Sequence, residues 1–139
     1  MKATLYYVDT SALVKLVREE LETASLRSFV QNSALVSCEL ILTELPRAIH
    51  RASFLDPALP VKDLIQTAGE VIDAVALMPL DRSLLSAAGA LAEPRLRALD
   101  AIHVCAAILA FPHDGFITYD ERQSAAAGLA GMRTFAPHP

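Results

Sequence analysis

Cysteine is scarce: only Cys38 and Cys105 occur in 139 residues. Each lies in apolar company, with no metal-ligand spacing and no disulfide framework, so both read as reduced core residues. Long apolar runs are missing too. The longest, Ala101 to Phe111, contains His103; a bilayer crossing takes about 20 residues, more than this run offers. Met1-Lys2-Ala3 leads straight into a strand pattern, with no apolar leader region or cleavage site, so the expected location is cytoplasmic. There is no internal repeat and no low-complexity tract. Basic excess is also absent, with a formal net charge of −4 and a pI near 5.5. That balance argues against a simple nucleic-acid binder with a basic face. It would mislead if the acidic excess were gathered at one metal site.

What is present is apolar: 53% of the residues are hydrophobic and mean hydropathy is +0.37. Disorder is thereby excluded. One domain spanning 1–139 is expected, large enough to bury a core. Abundant Ala and Leu favour helix-rich packing.

Periodicity changes repeatedly. Thr4 to Val8 reads as a strand, followed by helices from Ser11 to Arg18 and from Glu22 to Val30. Ala34 to Val36 is a short buried strand, after which Ser37 is expected to cap a helix reaching Phe54. Asp56-Pro57-Ala58-Leu59-Pro60 breaks the chain before a helix from Val61 to Val75. Ala76 to Met78 is a third strand, and Asp81 caps Ser83 to Leu91. Leu96 to Phe111 is the central buried helix, and Gly115 to Thr118 a fourth strand. Asp120 caps a helix to Gly128, and Met132 to Phe135 is a short fifth strand. Strands alternating with helices imply an α/β fold, a central parallel sheet of four to five short strands layered α/β/α. In such sheets the functional crevice lies beyond the carboxyl ends of the strands.

Four acids stand where carboxylates are costly to bury. Asp9 ends the first strand, Glu44 interrupts an apolar helix, Asp100 opens the apolar run, and Asp120 follows the fourth strand. Each has a structural reading. Asp9 and Asp120 suit helix N-caps, Asp120 with Gln123 in a capping box, and Asp100 suits a cap for a helix starting at Ala101. Glu44 suits a boundary residue paired with Arg47 or Arg51. As a set they suggest one pocket for a hard divalent cation.

The order and spacing are more specific than the members. Tyr7-Val8-Asp9-Thr10-Ser11-Ala12, the isolated Glu44, Leu99-Asp100-Ala101-Ile102-His103 and Phe116-Ile117-Thr118-Tyr119-Asp120 together resemble the PIN-domain ribonucleases. The likeness is greatest to the small VapC-type toxins of bacterial toxin–antitoxin pairs. It spans essentially the whole chain, through Ala125-Ala126-Ala127-Gly128-Leu129. By position, Asp9, Glu44, Asp100 and Asp120 match the family's catalytic quartet, with Asp9, Asp100 and Asp120 toward the metal. Ser11 and Thr118 match its supporting hydroxyls. The resemblance implies a PIN-like fold and a Mg²⁺- or Mn²⁺-dependent endoribonuclease leaving 5′-phosphate and 3′-hydroxyl ends. It also implies a homodimer and a cognate antitoxin protein whose tail covers the acidic groove. Pro46 departs from the pattern, and a proline there predicts a kink near Leu42.

The residue types agree with that chemistry. Oxygen-only ligands suit Mg²⁺ or Mn²⁺, not zinc. Two bare carboxylates 4 Å apart repel by about 4 kcal/mol at an effective dielectric of 20, and a cation removes that repulsion. It also activates water for in-line attack on an RNA phosphodiester. Arg47, Arg51, Arg95 and Arg97 suit either phosphate contacts or solvated surface positions. His103 suits either the pocket or a satisfied core site. The apolar stripe of Leu64, Ile65, Ala68, Val71 and Ile72 exceeds what a small core needs, which points to a dimer. A catalytically silent PIN-fold interaction module is the non-enzyme alternative. A receiver-like signalling domain would need paired acids after the first strand and a lysine after the fifth; a haloacid-dehalogenase phosphatase would need an acid at Ser11.

Overall fold

The structure is a computed structural model that describes residues 3–139. Its elements in chain order are β1 (Leu5–Val8), α1 (Thr10–Val17), α2 (Thr23–Val30), β2 (Ala34–Cys38), α3 (Ile41–Leu55) and α4 (Val61–Asp73). Then come β3 (Ala76–Met78), α5 (Arg82–Gly89), α6 (Ala98–Leu109), β4 (Gly115–Ile117), α7 (Glu121–Leu129) and β5 (Thr134–Phe135). The strands form one five-stranded sheet in the order β3-β2-β1-β4-β5. Every pairing is parallel.

Alternation along the strands sorts the core into two layers. Tyr7 and Phe116 face one way, against α5, α6 and α7. Val8 and Ile117 face the other, against α1, α2, α3 and α4. Helix α6 buries His103 through Ala107 in succession. Gly115 opens β4 with φ +156°, and the ring of Phe135 fills the space a Cβ would need; only glycine fits such an approach.

The chain runs outward from β1 to β2 and β3, then returns to place β4 on the other side of β1. Strand order therefore reverses between β1 and β4. A crevice opens beyond the carboxyl ends at such a switch point.

Two expectations need correction. Ser37 caps no helix. It lies inside β2, paired with Leu77, because β2 continues to Cys38 between two parallel neighbours. Helix α3 starts after Leu40 without a side-chain cap. The stripe on α4 is also not surplus: Ala68 is fully buried, and Leu64, Ile65, Val71 and Ile72 pack half-buried against the layer of α1 and α3. The exposed apolar residues lie elsewhere, Phe54 and Leu55 at the end of α3 among them. Helix α3 is a single helix with Pro46 inside it. Among the described residues no helix is long and apolar enough to cross a membrane.

Candidate active site

Val8 pairs with Ile117 in the β1–β4 ladder, so Asp9 and Thr118 leave the sheet side by side. Asp9 is buried. Its Oδ1 accepts from Ser11 Oγ at 2.7 Å and from the Ala12 N–H at 3.1 Å, capping α1. Its Oδ2 accepts from Thr118 Oγ1 at 2.6 Å. Burial pushes the Asp9 carboxyl above its ordinary value, although nearby His103 and these donors pull it down. A carboxylate short of positive charge, at a strand end, is what a cation would relieve.

Thr118 passes the chain of contacts on. Its Oγ1 accepts from the Asp120 N–H at 3.0 Å. Asp120 caps α7 by accepting from the Gln123 N–H at 2.9 Å. The Gln123 side chain does not close a capping box. Its Nε2 instead donates to Asp100 Oδ1 at 3.2 Å. Asp100 is in the first turn of α6, which begins at Ala98, two residues after the expected start at Leu96 and three before a start at Ala101, so Asp100 lies inside the helix and not at its N-cap. Its Oδ2 accepts from the Arg97 N–H at 3.2 Å.

Glu44 comes from the opposite layer, on the first turn of α3. Its Oε1 accepts from Thr10 Oγ1 at 2.6 Å and from His103 Nε2 at 2.7 Å. On its other side His103 Nδ1 meets the Tyr7 hydroxyl at 2.9 Å. Burial opposes charge on both partners, yet hydrogen bonding wins, for His103 through Cys38 first and Glu44 next. His103 is pushed up to about 10, with Cys38, Glu44 and Asp9 raising it. Glu44 is held below its ordinary value by His103 and Thr10. The pair is an imidazolium gripping a carboxylate.

Small polar groups thus tie the quartet together: Thr10 holds Glu44, Thr118 links Asp9 to Asp120, and Gln123 links Asp120 to Asp100. Among the described residues, no three Asp, Glu, His or Cys side chains form a ready-made inner shell for an ion. The donor set nevertheless fits a hydrated one. Mg²⁺ takes one or two carboxylates directly and keeps several waters. Gln123 adds a buried carbonyl oxygen, Oε1, with no hydrogen-bond partner.

A cavity of about 360 Å³ opens beside the acids, with Thr10 and Glu44 at its wall and Arg47, Arg51 and Leu99 around it. Both arginines are exposed, and among the described residues neither forms a salt bridge. Arg97 is exposed at the start of α6. Arg95 is spent on Glu93, 2.8 Å away. A larger open depression, about 800 Å³, lies between α2 and residues 134–138. It contains no carboxylate side chain, so it is not where this chemistry sits.

The model of the PIN domain family matches residues 6–129. The chain belongs to the PIN domain family. Within it, the chain is similar to Ribonuclease VapC35 of Mycobacterium tuberculosis, at 33% identity over 96% of this chain and 97% of that protein. Ribonuclease VapC46 of the same organism is 35% identical, over 94% of this chain and 96% of its own length. Two solved structures share the fold. One is VapC20 of Mycobacterium tuberculosis, described as a sarcin-ricin loop cleaving toxin, with a TM-score of 0.71 at 15% identity over 95% of this chain and 99% of that one. The other is PAE2754 of Pyrobaculum aerophilum, with a TM-score of 0.63 at 18% identity over 88% and 79%. This PIN chain therefore sits among the VapC ribonucleases.

Sequence reasoning missed Gln123 and Thr10 as site residues. Thr10 donates to Glu44. The one signal for Gln123 was a polar side chain on the buried face of α7, where Ala126 and Ala127 also lie.

Proposed function

We propose that this PIN protein is a metal-dependent endoribonuclease that hydrolyses RNA phosphodiester bonds, and that it is the toxin of a toxin–antitoxin pair. The observation that carries the reading is the hydrogen-bonded chain joining Asp9, Asp120 and Asp100 at the switch point of the sheet, with Glu44 held beside it by Thr10, the residue next to Asp9. Asp9, Asp100 and Asp120 are the residues to hold Mg²⁺ or Mn²⁺, and Ser11 and Thr118 orient Asp9. Such a cation offsets the charge of the scissile phosphate and lowers the pKa of a bound water. Glu44, fixed by Thr10 and His103, faces the cavity with the two unpaired arginines. Arg47 and Arg51 take phosphates of the RNA strand there, and Arg97 serves one beside Asp100. The names of the relatives, ribonucleases throughout, support the substrate class.

A cognate antitoxin protein silences the activity by covering the acidic groove. The protein acts in the cytoplasm as a homodimer, and Phe54 at 85% and Leu55 at 77% exposure are apolar surface that a second copy would cover. The test is cleavage of a structured RNA pool by purified protein in Mg²⁺ or Mn²⁺, with 5′-phosphate mapped on the products. Cleavage stops on chelation; cleavage that persists in EDTA overturns the reading.

A further inference from the structure

Gln123, like Thr118, touches two acids of the quartet from a single position. Its backbone N–H holds Asp120 Oδ1 at 2.9 Å, and its side-chain Nε2 holds Asp100 Oδ1 at 3.2 Å. The residue is 5% exposed. The amide orientation follows from chemistry: turned over, its oxygen would face the Asp100 carboxylate, acceptor against acceptor. So oriented, Oε1 is buried and nothing donates to it. An orphaned buried acceptor costs about 1–3 kcal/mol. Leucine or methionine would fill the same space without that cost but would leave Asp100 Oδ1 without its donor, so the grip on Asp100 is what the amide supplies.

We propose that Gln123 is a positioning residue of the metal site. It fixes the separation of Asp100 and Asp120, gripping one with its backbone and the other with its side chain. This rests on the metal-dependent reading above. Groups that orient metal ligands from behind typically change metal affinity 10–100-fold when removed.

The test is thermal melting of the whole protein with and without Mn²⁺, for wild type, Gln123→Leu and Gln123→Glu. Neither substitution removes the backbone N–H that caps α7. Added ligand stabilises by RT ln(1 + [L]/Kd), so the metal-induced shift reports affinity. Gln123→Leu loses the orphan oxygen and the bond to Asp100 together, so without metal its melting temperature stays close to that of wild type. Its Mn²⁺ affinity falls about tenfold or more, and its shift shrinks. Gln123→Glu sets a second carboxylate against Asp100; it melts lower without metal and gains a larger shift than wild type. Should the leucine variant not fold, the glutamate variant decides alone. A merely structural glutamine would leave the Mn²⁺ increment unchanged in both, and that result overturns the proposal while the nuclease reading stands. A wild type with no Mn²⁺ shift overturns both.

Discussion

His103 Nε2 donates to Glu44 Oε1 at 2.7 Å, so a buried residue of α6 holds the acid of α3 across the carboxyl edge of the sheet. The pair joins the two helical layers beside the proposed catalytic groove. It also makes stability depend on pH in a defined direction. The His103 pKa is raised to about 10 from 6.5. Its contribution is therefore full below the unfolded value and is lost as pH rises through about 10. Glu44 is shifted down, so its contribution is present above its usual value and lost as pH falls through the folded one. Thermal melts of wild type and Glu44→Gln at about pH 6, 8 and 10 check this: the wild-type advantage, about 1–3 kcal/mol at the lowest pH, shrinks toward the highest. A constant gap refutes the pairing.

Asp9→Asn abolishes cleavage but keeps the fold, within about 1 kcal/mol, because asparagine caps a helix nearly as well as aspartate. Activity and a circular dichroism melt measured on the same sample separate the two effects. An unchanged cleavage rate would remove Asp9 from the site.

Asp120 both caps α7 and belongs to the quartet. If it serves the metal, Asp120→Asn melts at the same temperature or higher without metal, since one repulsive charge is lost, and gains less from Mn²⁺. Equal Mn²⁺ shifts in both proteins return Asp120 to the role of a cap.

Arg47 and Arg51 are a test of strand binding rather than of chemistry. In the cleavage-dead Asp9→Asn background, Arg47→Ala and Arg51→Ala each weaken RNA binding. Each lowers the slope of log K against log salt by about 1 if it meets one phosphate. Fluorescence anisotropy over a salt series measures it. A slope that does not change places these arginines off the RNA path.

Phe54→Glu shifts a dimer toward monomer if the end of α3 lies in the interface between copies. Light scattering at tens of micromolar reads the mass directly, and a monomeric wild type refutes the homodimer.

The sheet and the aspartates were legible because both follow from local pattern. Apolar runs of strand length ending in Asp9 and in Thr118-Tyr119-Asp120 show in the chain itself. Capping and the proposed site role do not exclude each other: Asp9 and Asp120 cap their helices and also lie on one hydrogen-bonded chain. Strand order was not legible, because periodicity marks a strand but not its neighbours. Ser37 was misread because a local cap signal lost to ladder pairing on both sides of β2. The grips on Glu44 and Asp100 were hidden for a different reason. His103 lies 59 residues from Glu44, and Gln123 lies 23 from Asp100. Only the packed tertiary structure brings them together.

The placement of β4 has a consequence for how the protein is made. Asp9 leaves the ribosome near the start of synthesis, but Thr118, which donates to it, and Asp120 follow the strand that slots in beside β1 late in the chain. A nascent polypeptide complete through α6 carries Asp9, Glu44 and Asp100 and still lacks one wall of the groove. On the proposed site, the unfinished chain lacks the groups that complete it, and these arrive together once residues through Gln123 have emerged and folded back.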